Sequence, residues 1–228
     1  MTVVPPPRPT SGVSPLQLLT RAEDGERLHA LLWRAGPGWR MISSAVLGGG
    51  VGERAWVLNA QVSHGYRRTD PDRHLADLAR DAGARGPGVG LMTAADVRAH
   101  GRAYDSGVDA VATAGLGVRG WAASAAPGTD QAAAPGTINV VVALPVALTD
   151  AALVNAVATA TEAKVQALLD VGLDCSGTPT DAVCVAASTP RRGEAPHAFA
   201  GPRSLWGARL ARAVHVAVST AATPERCA

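Results

Sequence analysis

The 228-residue chain is long enough for one sizeable core, is 47% hydrophobic but only 4% aromatic, and carries a net charge of +2. This balance excludes a disordered chain and gives no electrostatic case for nucleic acid or an anionic membrane as partner, so the core must come from Val, Leu, Ala and Ile. Three widely spaced cysteines, Cys175, Cys184 and Cys227, make neither a disulfide framework nor a zinc pattern, and a reducing cytoplasm is the expected compartment.

Residues 1–13, with Pro5, Pro6, Pro7 and Pro9, read as a flexible tail and not as a signal peptide, which leaves 14–228 as a single domain. Ser14-Pro15 offers an N-cap and a first-turn proline for a short helix near 15–22. Strands follow over 27–34 and 40–47, separated by Gly36-Pro37-Gly38. Gly48 to Gly52 forms a loop, and a strand near 54–60 comes next. Asp70-Pro71 opens a helix to about Ala82. A strand near 88–92 ends at Thr93, which can cap a short helix, and a strand pair spans 102–114.

Residues 115–136 are rich in Gly, Ala and Pro and read as a long loop, a length that is often functional. The β-branched run from Thr137 to Leu144 is a strand, and Thr149 caps the longest helix, 150–171. A loop over 172–180, a strand over 181–187 and a helix over 203–219 complete the chain. No stretch is long and charge-free enough to span a bilayer.

The composition singles out one residue. Against twenty arginines there is one lysine, Lys164, in the middle of an apolar helix stripe of Leu153, Val157, Ala160, Leu168 and Val171. A lysine on such a stripe either snorkels to water or is buried beside a reacting group, where a compact ammonium does what a guanidinium cannot. A second face carries Asn155, Thr159, Glu162 and Gln166, of which Glu162 is the candidate worth keeping. Gly115-x-Gly117-x-x-Gly120 has the letters of a dinucleotide fingerprint, but Ser124 to Gly128 breaks the helix that the pyrophosphate needs. The histidines are scattered without ligand spacing, so no metal site is expected.

Several segments together resemble the adenosylcobinamide amidohydrolase family of corrinoid salvage. They are Val111-Ala112-Thr113-Ala114-Gly115, Gly136-Thr137-Ile138-Asn139, Thr149 to Leu153, Thr159 to Lys164, Gly177-Thr178-Pro179-Thr180-Asp181, and Phe199-Ala200-Gly201 with Leu205-Trp206-Gly207. They occur in family order over about 40–220. Gly117-Val118-Arg119, Pro179 and Pro202-Arg203-Ser204 depart from the family pattern and bear on substrate shape. The resemblance implies hydrolysis of the amide joining the corrin propionyl arm to aminopropanol, in adenosylcobinamide or in a related complete cobamide, with adenosylcobyric acid as the product from adenosylcobinamide. The corrinoid is then substrate, not cofactor, and a homo-oligomer is left open.

Amide hydrolysis requires a nucleophile, a base, a proton for the leaving amine and an oxyanion stabiliser. Thr137, which opens the most apolar strand, is the leading nucleophile, and Lys164, Glu162 and Asp181 are the further catalytic candidates. Asn139 shares the face of Thr137 and could donate to an oxyanion, while Thr178 and Thr180 could line the same pocket. Trp121, Trp206 and Tyr66 could contact the flat corrin face, and the Gly115 backbone could approach its amide arms.

A second resemblance lies in the order Gly136-Thr137, apolar strand, helix, then Thr180-Asp181 opening another strand. It is similar to self-cleaving ornithine acetyltransferases and related aminopeptidases. It implies an α+β fold, a layered α-β-β-α sandwich, with a three-layer α/β arrangement as alternative. It also implies that Thr137 becomes an N-terminal nucleophile whose own amine is the base. In the other version the chain stays whole, and Lys164 or Glu162 activates Thr137 Oγ1 or a water. A self-processing aminopeptidase-like enzyme and a non-catalytic corrinoid-binding protein are the competing functions.

Overall fold

The computed structural model describes residues 13, 15–124 and 136–223. Its first element overturns the helix expected near 15–22. Strand β1 (Leu16–Glu23) pairs antiparallel with β2 (Glu26–Trp33), in register from Leu16↔Trp33 to Glu23↔Glu26. The turn is Asp24-Gly25, with φ of 50° and 80°. Two successive positive φ values are what a tight hairpin turn with the right twist requires, and Asp-Gly meets that need cheaply. This long-range ladder outweighs the local helix start at Ser14-Pro15.

The remaining strands are β3 (Trp39–Ser43), β4 (Gly50–Glu53), β5 (Trp56–Gln61), β6 (Gly88–Thr93), β7 (Gly101–Asp105), β8 (Val108–Leu116), β9 (Gly136–Leu144) and β10 (Ala182–Ser188). The helices are α1 (Pro71–Asp81), α2 (Asp150–Asp170) and α3 (Leu205–Ala222). The strand expected over 40–47 ends early, at Ser43, and the glycine-rich segment read as a loop supplies β4. Thr149 caps α2 as expected, accepting from the Ala152 N–H at 3.1 Å. Asp70 does not cap α1, because its carboxylate is taken by Arg68 at 2.9 Å. The short turn at Val97–Ala99 is capped by Asp96 and not by Thr93.

Two sheets result. One runs β1-β2-β5-β6, and the other β4-β3-β10-β9-β8-β7. Each contains one parallel pair, β5–β6 and β9–β10, bridged by α1 and α2 respectively. Helix α1 covers the four-stranded sheet through Leu75 and Ala79 against Ala30, Leu32, Leu58 and Ala60. Helices α2 and α3 cover the far face of the six-stranded sheet. Between the sheets lie Leu31, Trp33, Val57, Leu91, Val141, Ala143 and Ala186. The layers are therefore α-β-β-α, an α+β sandwich.

Strand β9 is the spine of the molecule. All nine of its residues are buried. Ile138, Val140, Val142 and Leu144 face α2 and α3, each contributing about 1.5–3 kcal/mol of burial. The period of two then sends Thr137, Asn139, Val141 and Ala143 between the sheets. Val13, at the end of the expected tail, is buried there too and donates its N–H to Asp109 Oδ2 at 2.9 Å. The rest of that tail lies outside the described residues, as does 125–135 of the expected long loop.

Candidate active site

Three segments far apart in sequence meet at the N-terminal end of β9. The first is Gly136-Thr137-Ile138-Asn139 itself. The second is the loop from α2 to β10, and the third is the middle of α2, which carries Lys164. The Lys164 side chain is 8% exposed and pairs directly with Asp181 Oδ2, whose side chain is 14% exposed. Asp181 Oδ1 accepts from the Ile138 N–H at 2.9 Å, from the Thr178 N–H at 3.2 Å and from the Thr178 hydroxyl. One carboxylate thus ties α2, the loop and the start of β9 together.

Gly177 makes that junction possible. Its φ is +152°, and a Cβ there would overlap both Asp181 Oδ2 and Lys164 Nζ. Its carbonyl also accepts from the Gly120 N–H at 3.0 Å, which fastens the segment after β8 over the same loop. Trp121 strengthens this tie by donating its indole N–H to Asp174 Oδ1 at 3.2 Å, while the ring stays 45% exposed.

On the inter-sheet face, Thr137 Oγ1 lies 2.5 Å from Thr180 Oγ1, and the Thr180 hydroxyl is 2.9 Å from the Gly136 carbonyl. A hydroxyl has one proton. If Thr180 donates it to Gly136 O, Thr137 must donate to Thr180, and its own lone pairs stay free. Among the described residues no carboxylate, imidazole or amine is bonded to Thr137 Oγ1. Beside these groups is a cleft of about 320 Å³ lined by Ser44, Leu91, Met92, Asn139, Thr180 and Asp181.

The structure brings together Thr137, Thr178, Thr180, Asp181, Lys164 and Asn139, with Gly115 directly opposite Thr137 across β8–β9. It does not bring in Glu162, which is exposed on the outer face of α2, two residues from Lys164 and so turned away from it. Trp206 sits at the other end of the molecule. It opens α3, donates to His197 Nε2 at 3.2 Å and packs near Gly107 and Pro145, beyond the far end of β9. Tyr66 is engaged with α1, where its hydroxyl meets His74 Nδ1 at 3.1 Å and its ring stacks on the imidazole.

The expected donor role of Asn139 is also corrected. Its amide hydrogens go to Asn59 Oδ1 at 2.8 Å and the Met92 carbonyl at 3.0 Å, so none is left for an oxyanion. Asn59 and its own partner, Thr113 Oγ1 at 2.9 Å, were not anticipated. Their signal was present, since Asn59 interrupts the apolar run Trp56-Val57-Leu58 and Thr113 interrupts Val111-Ala112. Among the described residues no group of His, Cys, Asp and Glu is arranged to hold a metal ion, and no helix is long and apolar enough to cross a membrane.

A free hydroxyl oxygen, a second hydroxyl aimed at the neighbouring carbonyl and a fixed cation–carboxylate pair suit acyl transfer from an amide, the chemistry of an amidohydrolase. Residues 15–226 match the family described as adenosylcobinamide amidohydrolase. The chain is similar to the adenosylcobinamide amidohydrolase of Methanosarcina mazei, with 33% identity over 146 residues, 64% of this chain and 68% of that protein. It belongs to the adenosylcobinamide amidohydrolase family and is an enzyme of that class. Among solved structures it is similar to the L-aminopeptidase D-Ala-esterase/amidase of Ochrobactrum anthropi, with a TM-score of 0.44 and 14% identity over 90% of this chain and 82% of that one.

Proposed function

We propose that this enzyme hydrolyses the amide between the propionyl arm of adenosylcobinamide and aminopropanol, releasing adenosylcobyric acid for corrinoid salvage in the cytoplasm. The corrinoid is substrate and no cofactor takes part. Residues 14–228 act as a single domain. Family membership supports the substrate class. The observation that carries the chemistry is the Thr137–Thr180–Gly136 contact at the edge of the cleft.

Thr137 is the nucleophile in this reading. Among the described residues of the intact chain no base is bonded to its hydroxyl, and Lys164 is committed to Asp181. The missing base is the α-amine of Thr137 itself, freed by cleavage of the Gly136–Thr137 bond. Thr180 polarises the Gly136 carbonyl, and Thr137 Oγ1 attacks its carbon. The C–N bond breaks as nitrogen takes the hydroxyl proton, and water hydrolyses the resulting ester to leave a carboxylate on Gly136. The substrate amide then takes the place of the lost peptide bond, with the Thr180 hydroxyl now donating to its carbonyl oxygen. The freed amine accepts the Thr137 proton and passes it to departing aminopropanol, and water clears the acyl-enzyme. Lys164 and Asp181 are positioning residues, holding Ile138 N–H and hence Thr137 in place. The exposed, edge-anchored ring of Trp121 is a platform for the corrin face.

Mass spectrometry of adenosylcobinamide incubated with the protein tests the reaction. Loss of aminopropanol with gain of water is expected. Unchanged corrinoid that still binds would mark a non-catalytic binding protein, and release of amino acids from peptides instead would mark an aminopeptidase. The intact mass of the protein reports the cut before Thr137.

A further inference from the structure

A polar network lies where the apolar inter-sheet core would otherwise continue. Asn139 is 1% exposed, Asn59 5% and Thr113 0%. Thr113 Oγ1 receives one hydrogen of Asn59, and Asn59 Oδ1 receives one of Asn139. The second hydrogen of Asn139 goes to the Met92 carbonyl. A carbonyl can only accept, so this bond fixes which end of the Asn139 amide is nitrogen. Asn139 Oδ1 is therefore a buried acceptor with no partner among the described residues. Such a group costs stability, as does a buried polar network, and neither is explained by packing. Yet Asn139 lines the cleft, together with Ser44, Thr180 and Asp181.

Given the amide hydrolysis proposed above, on which this step rests, we infer that Asn139 Oδ1 accepts the N–H of the amide being cleaved and so selects a secondary amide over an ester. The spacing suits the role. Thr137 and Asn139 are successive residues on one face of β9, about 6.7 Å apart. A scissile amide lying along β9 with its carbonyl carbon over Thr137 Oγ1 directs its N–H towards Asn139, the next residue on that face. An acceptor there also holds the N–H while the C–N bond breaks, leaving the nitrogen lone pair turned towards the proton donor. Asn59 and Thr113 position the acceptor without touching substrate.

The test compares adenosylcobinamide with the analogue in which an ester oxygen replaces the scissile nitrogen. In wild type and Asn139→Ala, kcat/KM is measured on both. The amide-to-ester ratio is expected to fall about 10–100-fold in the variant, mostly through kcat on the amide. A merely structural role would lower both substrates alike, and an unchanged ratio overturns the assignment. If Asn139→Ala does not fold, the wild type decides alone. The ester, with no hydrogen to donate, should compete against the amide at least about tenfold more weakly, and equal competition overturns the assignment. Failure of the wild type to release aminopropanol from adenosylcobinamide refutes the functional reading itself and this assignment with it. Release with an unchanged ratio refutes only the role of Asn139.

Discussion

Lys164→Met would remove the ammonium and leave the Asp181 carboxylate in place at the edge of the core. Breaking a buried ion pair from one side costs about 3–5 kcal/mol, because the remaining charge is uncompensated. Asp181 keeps its bonds from the Ile138 N–H, the Thr178 N–H and the Thr178 hydroxyl, and its side chain is 14% exposed. These lower the expected loss to about 2–3 kcal/mol. For a chain of this length each kcal/mol moves Tm by about 2–4 °C, so thermal unfolding should fall by about 4–12 °C. The double variant Lys164→Met/Asp181→Leu should lose less than the sum of the two single changes, since it buries no charge. Lys164→Arg should not rescue. The Gly177 backbone packs directly on the pair, and a planar guanidinium is larger than the ammonium it would replace. Wild-type melting and wild-type hydrolysis in Lys164→Arg would refute this account of why one lysine persists among twenty arginines.

Three further outcomes follow from the same geometry. Thr180→Val removes the hydroxyl that reaches both Thr137 Oγ1 and Gly136 O, so intact mass should report a single uncut chain without activity, whereas Thr180→Ser should still process. Burial pushes the Cys184 thiol up to about 12, so alkylation at about pH 8 should leave it unlabelled in the native protein and label it in urea, as peptide mapping would report. Asp105 is held below the ordinary carboxylate value chiefly by its hydrogen bond from Arg212, so the stabilisation is present above the unfolded pKa near 3.9 and is lost as pH falls through the lowered folded value. The Tm difference between wild type and Arg212→Gln should therefore be full at about pH 6 and shrink steadily as the solution is acidified below the unfolded carboxylate value. A difference that grows in acid would contradict that sign.

Much of the site was legible because its signals are local. The apolar, β-branched run over 137–144 gave the strand, and the period of two placed Thr137 and Asn139 on one face, as the structure has them. The Thr149 cap and the apolar periodicity gave α2 and set Lys164 among Leu153, Ala160 and Leu168, all buried. The isolated lysine drew attention before any partner was known. Other readings failed where distant chain decides. By sequence Glu162 is a candidate on the second face of α2, but the chain that folds onto α2 leaves it exposed and brings Asp181 to Lys164 instead. Trp206 carried a family-like motif, but α3 starts beyond the far end of β9. Ser14-Pro15 is a sound helix start that lost to eight paired residues of β2.

The sequence by itself determined the apolar β-branched strand at 137–144, the capped helix α2 and the residue types that amide chemistry requires, because each depends on neighbours a few positions away. Only the tertiary structure decided that Asp181 would grip both Lys164 and the Ile138 N–H, 17 and 43 residues away, and that Asn139 would spend both amide hydrogens across the sheets, one of them on Asn59, 80 residues away. Hydrogen-bond partners at those separations are set by how two sheets stack and which face each strand presents. No local pattern encodes which donor or acceptor will be left over.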